Sequence, residues 1–207
     1  MNKNIKWVSG ARNTWLELAS SDLVALLDDD DSRDPNKLEK QRNYMQTYKN
    51  NWYCGTNVKY IDVQGNLIWL RQFPQFDESI KKVLLYSIWA LNSSLIIRKN
   101  LIDVIGLQNK NYIIAQDYEW MLRIIKYASG WNIQEYLTNY TWDTNSLCHS
   151  KIRQWRIESL RAFANLGKER SDYVLWLLLK SIWILVPASL SGTWLGTKFL
   201  DRIFKKS

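Results

Sequence analysis

The chain has 207 residues, 46% of them hydrophobic, with three prolines, eight glycines and a net charge of +8. This composition excludes a disordered chain, a collagen-like repeat and low-complexity linkers, and the length suits one domain with a sizeable core, with or without a helical appendage. Cys54 and Cys148 lack CxxC spacing and His149 is the single histidine, which argues against a disulfide framework, a zinc site or a centre of several imidazoles.

In chain order, Gly10 to Ala19 has helical spacing and stops at Ser20-Ser21-Asp22. The apolar run Leu23-Val24-Ala25-Leu26-Leu27 then reads as a buried strand, and four aspartates, Asp28 to Asp31, leave its carboxyl end, where α/β sheets place ligands. Like charges so close repel, and alternate residues of an extended chain point the same way, so Asp28 and Asp30 can face one ion together. Oxygen-only ligands favour Mg²⁺ or Mn²⁺. A solvated acidic turn or helix N-cap is the alternative, because the next segment, 36–48, reads as a helix.

Trp52 to Asp62 is rich in aromatic and β-branched residues and reads as a strand, with Gln64-Gly65-Asn66 turning into Leu67-Ile68-Trp69-Leu70. Residues 78–90 read as a helix and Ser94 to Arg98 as another buried strand. Ile113-Ile114-Ala115 opens a short apolar run that continues as an amphipathic helix with Asp117 near its N-terminus, where a cap is the plain alternative role. The layout is α/β.

Several of these segments together resemble the family 2 glycosyltransferases with the GT-A fold. The resemblance rests on Gly10-Ala11-Arg12-Asn13, on Leu27-Asp28-Asp29-Asp30-Asp31 followed by Pro35-Asn36-Lys37-Leu38, on Asp62-Val63-Gln64-Gly65, and on Gln116-Asp117-Tyr118-Glu119-Trp120-Met121-Leu122-Arg123, in the family's order and spacing. It implies a Rossmann-like mixed sheet flanked by helices over residues 1–150; residues 151–207 read, from their own composition, as a basic, apolar helical tail. Family members begin with two further βα units that carry the nucleotide-base pocket, so the resemblance leads us to expect an N-terminally truncated domain, short by about 60 to 70 residues.

By the same resemblance, Asp30 would bind a divalent metal directly, Asp28 would contact the ribose or the metal, and Arg12, Asn13, Asp28 and Asp29 would lie at the donor nucleotide. Arg12 pairing with a nearby carboxylate is its alternative role. Asp143 stands where the family often has a metal-contacting histidine, with His149 as a second candidate. Asp117 would be the general base of an inverting transfer, although Gln116 replaces the family's usual Glu, a change that lowers the Asp pKa and weakens the base without removing it. Asn92-Ser93-Ser94 falls where the family shapes the acceptor pocket. Trp89, Trp120 and Trp142 are candidate sugar platforms or core residues.

Residues 1–150 hold 17 Lys+Arg against 16 Asp+Glu, whereas residues 151–207 hold 11 against 4, so the basic character belongs to the tail. Tyr173 to Pro187 is apolar nearly all round but contains Lys180, which argues against a clean span. Trp194 to Phe204 reads as a basic amphipathic helix suited to a membrane interface, or to packing on the catalytic domain. The stretch after Met1 does not read as a signal peptide, which points to a cytosolic chain with reduced thiols, peripheral at the inner face of the membrane.

The function expected is transfer of a sugar from a nucleotide-sugar donor to a saccharide or lipid-linked acceptor in bacterial surface polysaccharide synthesis. A catalytically inactive fragment serving as a membrane-peripheral interaction protein is the rival. Nucleic acid is not an expected partner, because the tail's cations alternate with aliphatic runs and no RRM, KH or zinc signature occurs.

Overall fold

The computed structural model describes residues 8–83, 88, 90–143, 146, 150–166 and the isolated positions 174, 177, 178, 181 and 182. Helix α1 (Val8–Leu18) turns Ser9, Asn13 and Leu16 inward. Strand β1 (Leu23–Ala25) follows. It is shorter than the apolar run implies and only half-buried, because it forms one edge of the sheet instead of its centre.

After β2 (Ser32–Arg33), helix α2 (Lys37–Thr47) lays Lys37, Gln41 and Met45, spaced four apart, against the sheet. Asp34 starts it by accepting the Asn36 N–H at 2.9 Å. Strand β3 (Tyr53–Ile61) and strand β4 (Leu67–Arg71) form a hairpin. Gly65 supplies the positive φ of 88° that its turn needs, and the Asp62 carboxylate accepts the Gln64 and Asn66 N–H groups.

Helix α3 (Asp77–Val83) covers the first half of the helix expected over 78–90. A 3₁₀ turn at Asn92–Ser94 then leads into β5 (Ile96–Arg98), α4 (Leu101–Ile105) and α5 (Gln116–Tyr127). Strand β6 (Gly130–Thr141) has no counterpart in the sequence reading. Its polar residues Asn132, Gln134, Glu135 and Asn139 break up any apolar run, yet it is the parallel partner of β3 along nearly all of that strand. Their approach is close: a Cβ at Gly130 would lie 2.5 Å from the Tyr53 carbonyl oxygen.

The sheet order is β1-β5-β3-β6-β2, with β4 alongside the far end of β3. Residues 26–31 therefore carry the chain from one edge of the sheet to the other, and the four aspartates lie on that crossing. The main core sits where Tyr118, Trp120, Met121 and Ile124 of α5 meet Leu95, Ile97, Leu101 and Ile105. Trp120 is wholly buried and its indole N–H bonds the Gly106 carbonyl at 3.0 Å, so it is a core residue and not a sugar platform.

Helix α6 (Ile152–Leu166) packs on α5, with Ala162 and Phe163 buried and the Trp155 ring 6.0 Å from that of Tyr118. The first stretch assigned to the tail is thus built into the folded body. Trp89, Cys148, His149 and the amphipathic stretch 194–204 lie outside the described residues. No helix among the described residues is long and apolar enough to cross a membrane.

Candidate active site

The acidic crossing is held by two hydroxyl-bearing residues from different parts of the chain. Ser93 Oγ accepts the Asp28 N–H at 3.0 Å and donates to Asp31 Oδ2. Thr141, the last residue of β6, donates its N–H to Asp31 Oδ1 at 2.9 Å and its hydroxyl to the Asp30 carbonyl. Asp31 is thereby drawn inward, and burial pushes its carboxyl up to about 6 against the two hydrogen bonds it accepts. Asp29 and Asp30 remain exposed. Partial desolvation and the charges of Asp28 and Asp29 push Asp30 above the usual carboxylate range, against a backbone hydrogen bond and Arg12.

Arg12 and Asn13, adjacent in α1, do different work. Arg12 Nη2 forms an ion pair with Asp28 Oδ1, while its other terminal nitrogen, Nη1, is buried without an acceptor among the described residues. Asn13 is committed elsewhere: its amide donates to the Gln108 carbonyl at 2.8 Å and accepts the Gln108 N–H at 2.9 Å. That reciprocal pair pins α1 to the loop before α5 and uses both polar atoms expected at the nucleotide.

Asp117 is the second residue of α5, half-buried, and its Oδ1 accepts the Tyr118 N–H at 2.7 Å. Burial raises its pKa and outweighs the attraction of Arg12, with the charge of Asp28 adding to the rise. The Arg12 guanidinium and the Asp28 and Asp117 carboxylates are thus electrostatic neighbours. Next to Asp117, Gln116 Oε1 is buried without a partner among the described residues, and so are both amide atoms of Asn92 beside Ser93. Asp143 lies two residues beyond Thr141, at the same end of β6 as the acidic crossing, with its carbonyl accepting the Ser146 N–H at 3.1 Å. Trp142 joins an aromatic cluster there, edge-on to Trp69 at 4.9 Å and 6.0 Å from Tyr60.

Among the described residues, no three His, Cys, Asp or Glu side chains stand close enough to cage an ion. Magnesium needs no such cage, because it is commonly held by one or two carboxylates together with substrate phosphates and water. An exposed Asp30 carboxylate with its pKa raised by partial desolvation and by its acidic neighbours fits that arrangement. Asp28 fits it less well, since Arg12 already holds one of its oxygens.

The sequence model of the family described as Glycosyl transferase family 2 matches residues 1–102, a span that includes α1 and the acidic crossing. The chain is a relative of the family 2 glycosyltransferases. An uncharacterized glycosyltransferase of Methanocaldococcus jannaschii is 27% identical over 168 residues, covering 79% of this chain and 57% of that protein. Among solved structures, S. aureus TarS 1-349 superposes with a TM-score of 0.60 at 13% identity, over 87% of this chain and 52% of that one. TarS 1-349 in complex with UDP-GlcNAc gives 0.54 at 14% identity, over 80% and 49%. At such identity the likeness shows the fold, the GT-A arrangement of a mixed sheet with flanking helices. The chain spans about half the length of the relatives it matches.

Two residues that the structure makes prominent gave no functional signal in the sequence. Thr141 ties the acidic crossing together with Ser93, and nothing but its partners marks it out. Lys37 is wholly buried at the first turn of α2, its Nζ without a partner among the described residues. Burial, then the Arg33 charge, brings it down to about 8.

Proposed function

We propose that this chain carries the catalytic face of an inverting, metal-dependent glycosyltransferase that moves a sugar from a nucleotide-sugar donor to a saccharide or lipid-linked saccharide. The observation that carries this reading is Asp117. Its carboxylate sits at a helix N-terminus, raised in pKa by burial, within the field of the Arg12–Asp28 pair beside the acidic crossing. The neighbouring TarS complex contains UDP-GlcNAc, which favours a UDP-sugar as the first donor to try.

In this mechanism Asp30, with Asp143 from beyond the end of β6, would hold Mg²⁺ or Mn²⁺, and Arg12 Nη1 would meet a phosphate oxygen of the donor. A bound divalent ion would offset the charge that develops on the departing nucleoside diphosphate. Asp117 takes the proton of the acceptor hydroxyl as that oxygen attacks the anomeric carbon. Tyr118 fixes Oδ1, leaving Oδ2 as the accepting atom. The unpartnered Asn92 amide and Gln116 Oε1 supply hydrogen-bonding capacity for acceptor hydroxyls. Because Asp117 titrates above the usual carboxylate range, turnover rises with pH through that higher value.

The setting we propose is the inner face of a membrane, in surface polysaccharide synthesis. Residues 151–207 carry an excess of cations, and Val174, Leu178 and Ile182, four apart, are exposed apolar residues. Turnover of UDP-sugars by wild type and Asp117→Asn tests the reading. Transfer by wild type that survives in the variant would remove Asp117 as the base.

A further inference from the structure

Glu158 of α6 lies outside every segment that resembles the family, yet it makes one of the densest sets of hydrogen bonds in the described structure. Its Oε2 accepts the N–H groups of Ile113, Ile114 and Ala115 at 2.9, 3.0 and 3.0 Å, and its Oε1 accepts Gln154 Nε2 at 2.9 Å. Three successive N–H groups converging on one oxygen form a backbone anion nest, here filled by the protein's own carboxylate. Burial alone would raise Glu158, but the hydrogen bonds from Ala115, Ile114, Gln154 and Ile113 outweigh it and hold the carboxylate ionised. The same helix secures the residues just before the nest: Arg161 donates to the Asn111 carbonyl at 2.7 Å and lies 4.2 Å over the Tyr112 ring.

Ala115 immediately precedes α5, and Asp117 is the second residue of that helix. We infer that Glu158 is a positioning residue for Asp117, the internal anion that fixes where α5 begins and so where the base stands. The inference rests on the proposed role of Asp117 and gives the segment after β6 a part in the reaction. Without the anion, three aligned and largely buried donors lose their acceptor together, and the loop must rearrange to recover them. Asp117, one turn of chain away, moves with it. Displacement of a reacting group by about 1 Å is enough to cost about 100-fold in rate.

The test uses the full chain with Glu158→Ala and Glu158→Gln, read by amide hydrogen exchange at 113–117 and by turnover. Glu158→Ala is expected to lose protection locally at 113–117 and to lower kcat by about 10- to 100-fold, with the donor KM unchanged. Glu158→Gln keeps an acceptor oxygen and is expected to recover most of both, and added formate to restore the Ala variant. Combined with Asp117→Asn, Glu158→Ala should cause no further loss, because the group it positions is already gone. Unchanged exchange at 113–117, loss of protection spread evenly through α5 and α6 in both variants, or a change in KM alone would overturn the inference. If wild type transfers no sugar, the glycosyltransferase reading fails, and the exchange result by itself decides whether Glu158 organises the loop.

Discussion

The acidic crossing and the loop before α5 both present carboxylate chemistry to one site, but they settle their charge differently. At residues 28–31 four acids share one short segment, and the tethering groups from Ser93 and Thr141 are neutral. Among the described residues Arg12 brings a positive charge to it, and it pairs with Asp28. At residues 113–117 the protein supplies its own anion, Glu158, and three N–H groups to receive it. The first loop is electrostatically unfinished, whereas the N–H groups of residues 113–115 are satisfied within the protein. Polar strain at a site marks where a ligand is to be taken up, whereas full internal satisfaction marks where geometry has to be held.

Substitutions can break this contrast at either end. The largest effect expected is at the second loop: Asp117→Asn should lower kcat by about 10²- to 10⁴-fold, measured with whichever donor the wild type uses. The same change should raise the thermal midpoint at neutral pH. Asp117 has a folded pKa above its unfolded value, so its contribution to stability is present at low pH and lost as pH rises through the folded value, a loss the Asn variant does not suffer.

Away from the site, Lys37→Met should stabilise the fold by about 3 kcal/mol at pH 7 in urea unfolding, from a pKa brought down to about 8. Here the unfolded state binds the proton more tightly. Wild-type stability should therefore rise as pH climbs from about 8 to 10.5, and the Met variant should lack that rise. A wild-type curve that is flat over this range would mean Lys37 is paired in solution.

Asn13→Ala leaves the Gln108 N–H and carbonyl without their partner and should cost about 2 kcal/mol in the same unfolding assay. Ser93→Ala should cost about 1 kcal/mol. It should also raise Asp31 further above about 6, because the hydroxyl bond that favours its ionised form is gone. A carbon-detected titration of Asp31 reads that shift, and no movement would mean that Thr141 alone sets the position of the crossing.

The parts of this contrast that could be read from sequence are those written locally. An apolar run ending in Asp28 to Asp31, and a helix beginning just before Asp117, are patterns within ten residues; the helix appears where expected and the run as a shorter, half-buried edge strand. Strand β6 escaped because its polar residues obscure the period by which a strand is recognised. Asn13 and Gln108 are 95 residues apart and Glu158 lies 43 from Ala115, so neither pairing leaves a trace in local composition. Lys37 is a still harder case, since its position at the start of α2 reads as a solvated helix end and only packing on β3 reveals its burial.

The most direct test of the proposed donor site is calorimetric titration of the chain with UDP, GDP and dTDP, each with and without Mn²⁺, beside an Asp30→Ala control. The unfinished charge of the acidic crossing predicts that one nucleoside diphosphate binds only with Mn²⁺ and that Asp30→Ala abolishes the metal dependence. Binding that ignores both the metal and the substitution, or no binding to any of the three, would contradict a metal-dependent donor site in this chain.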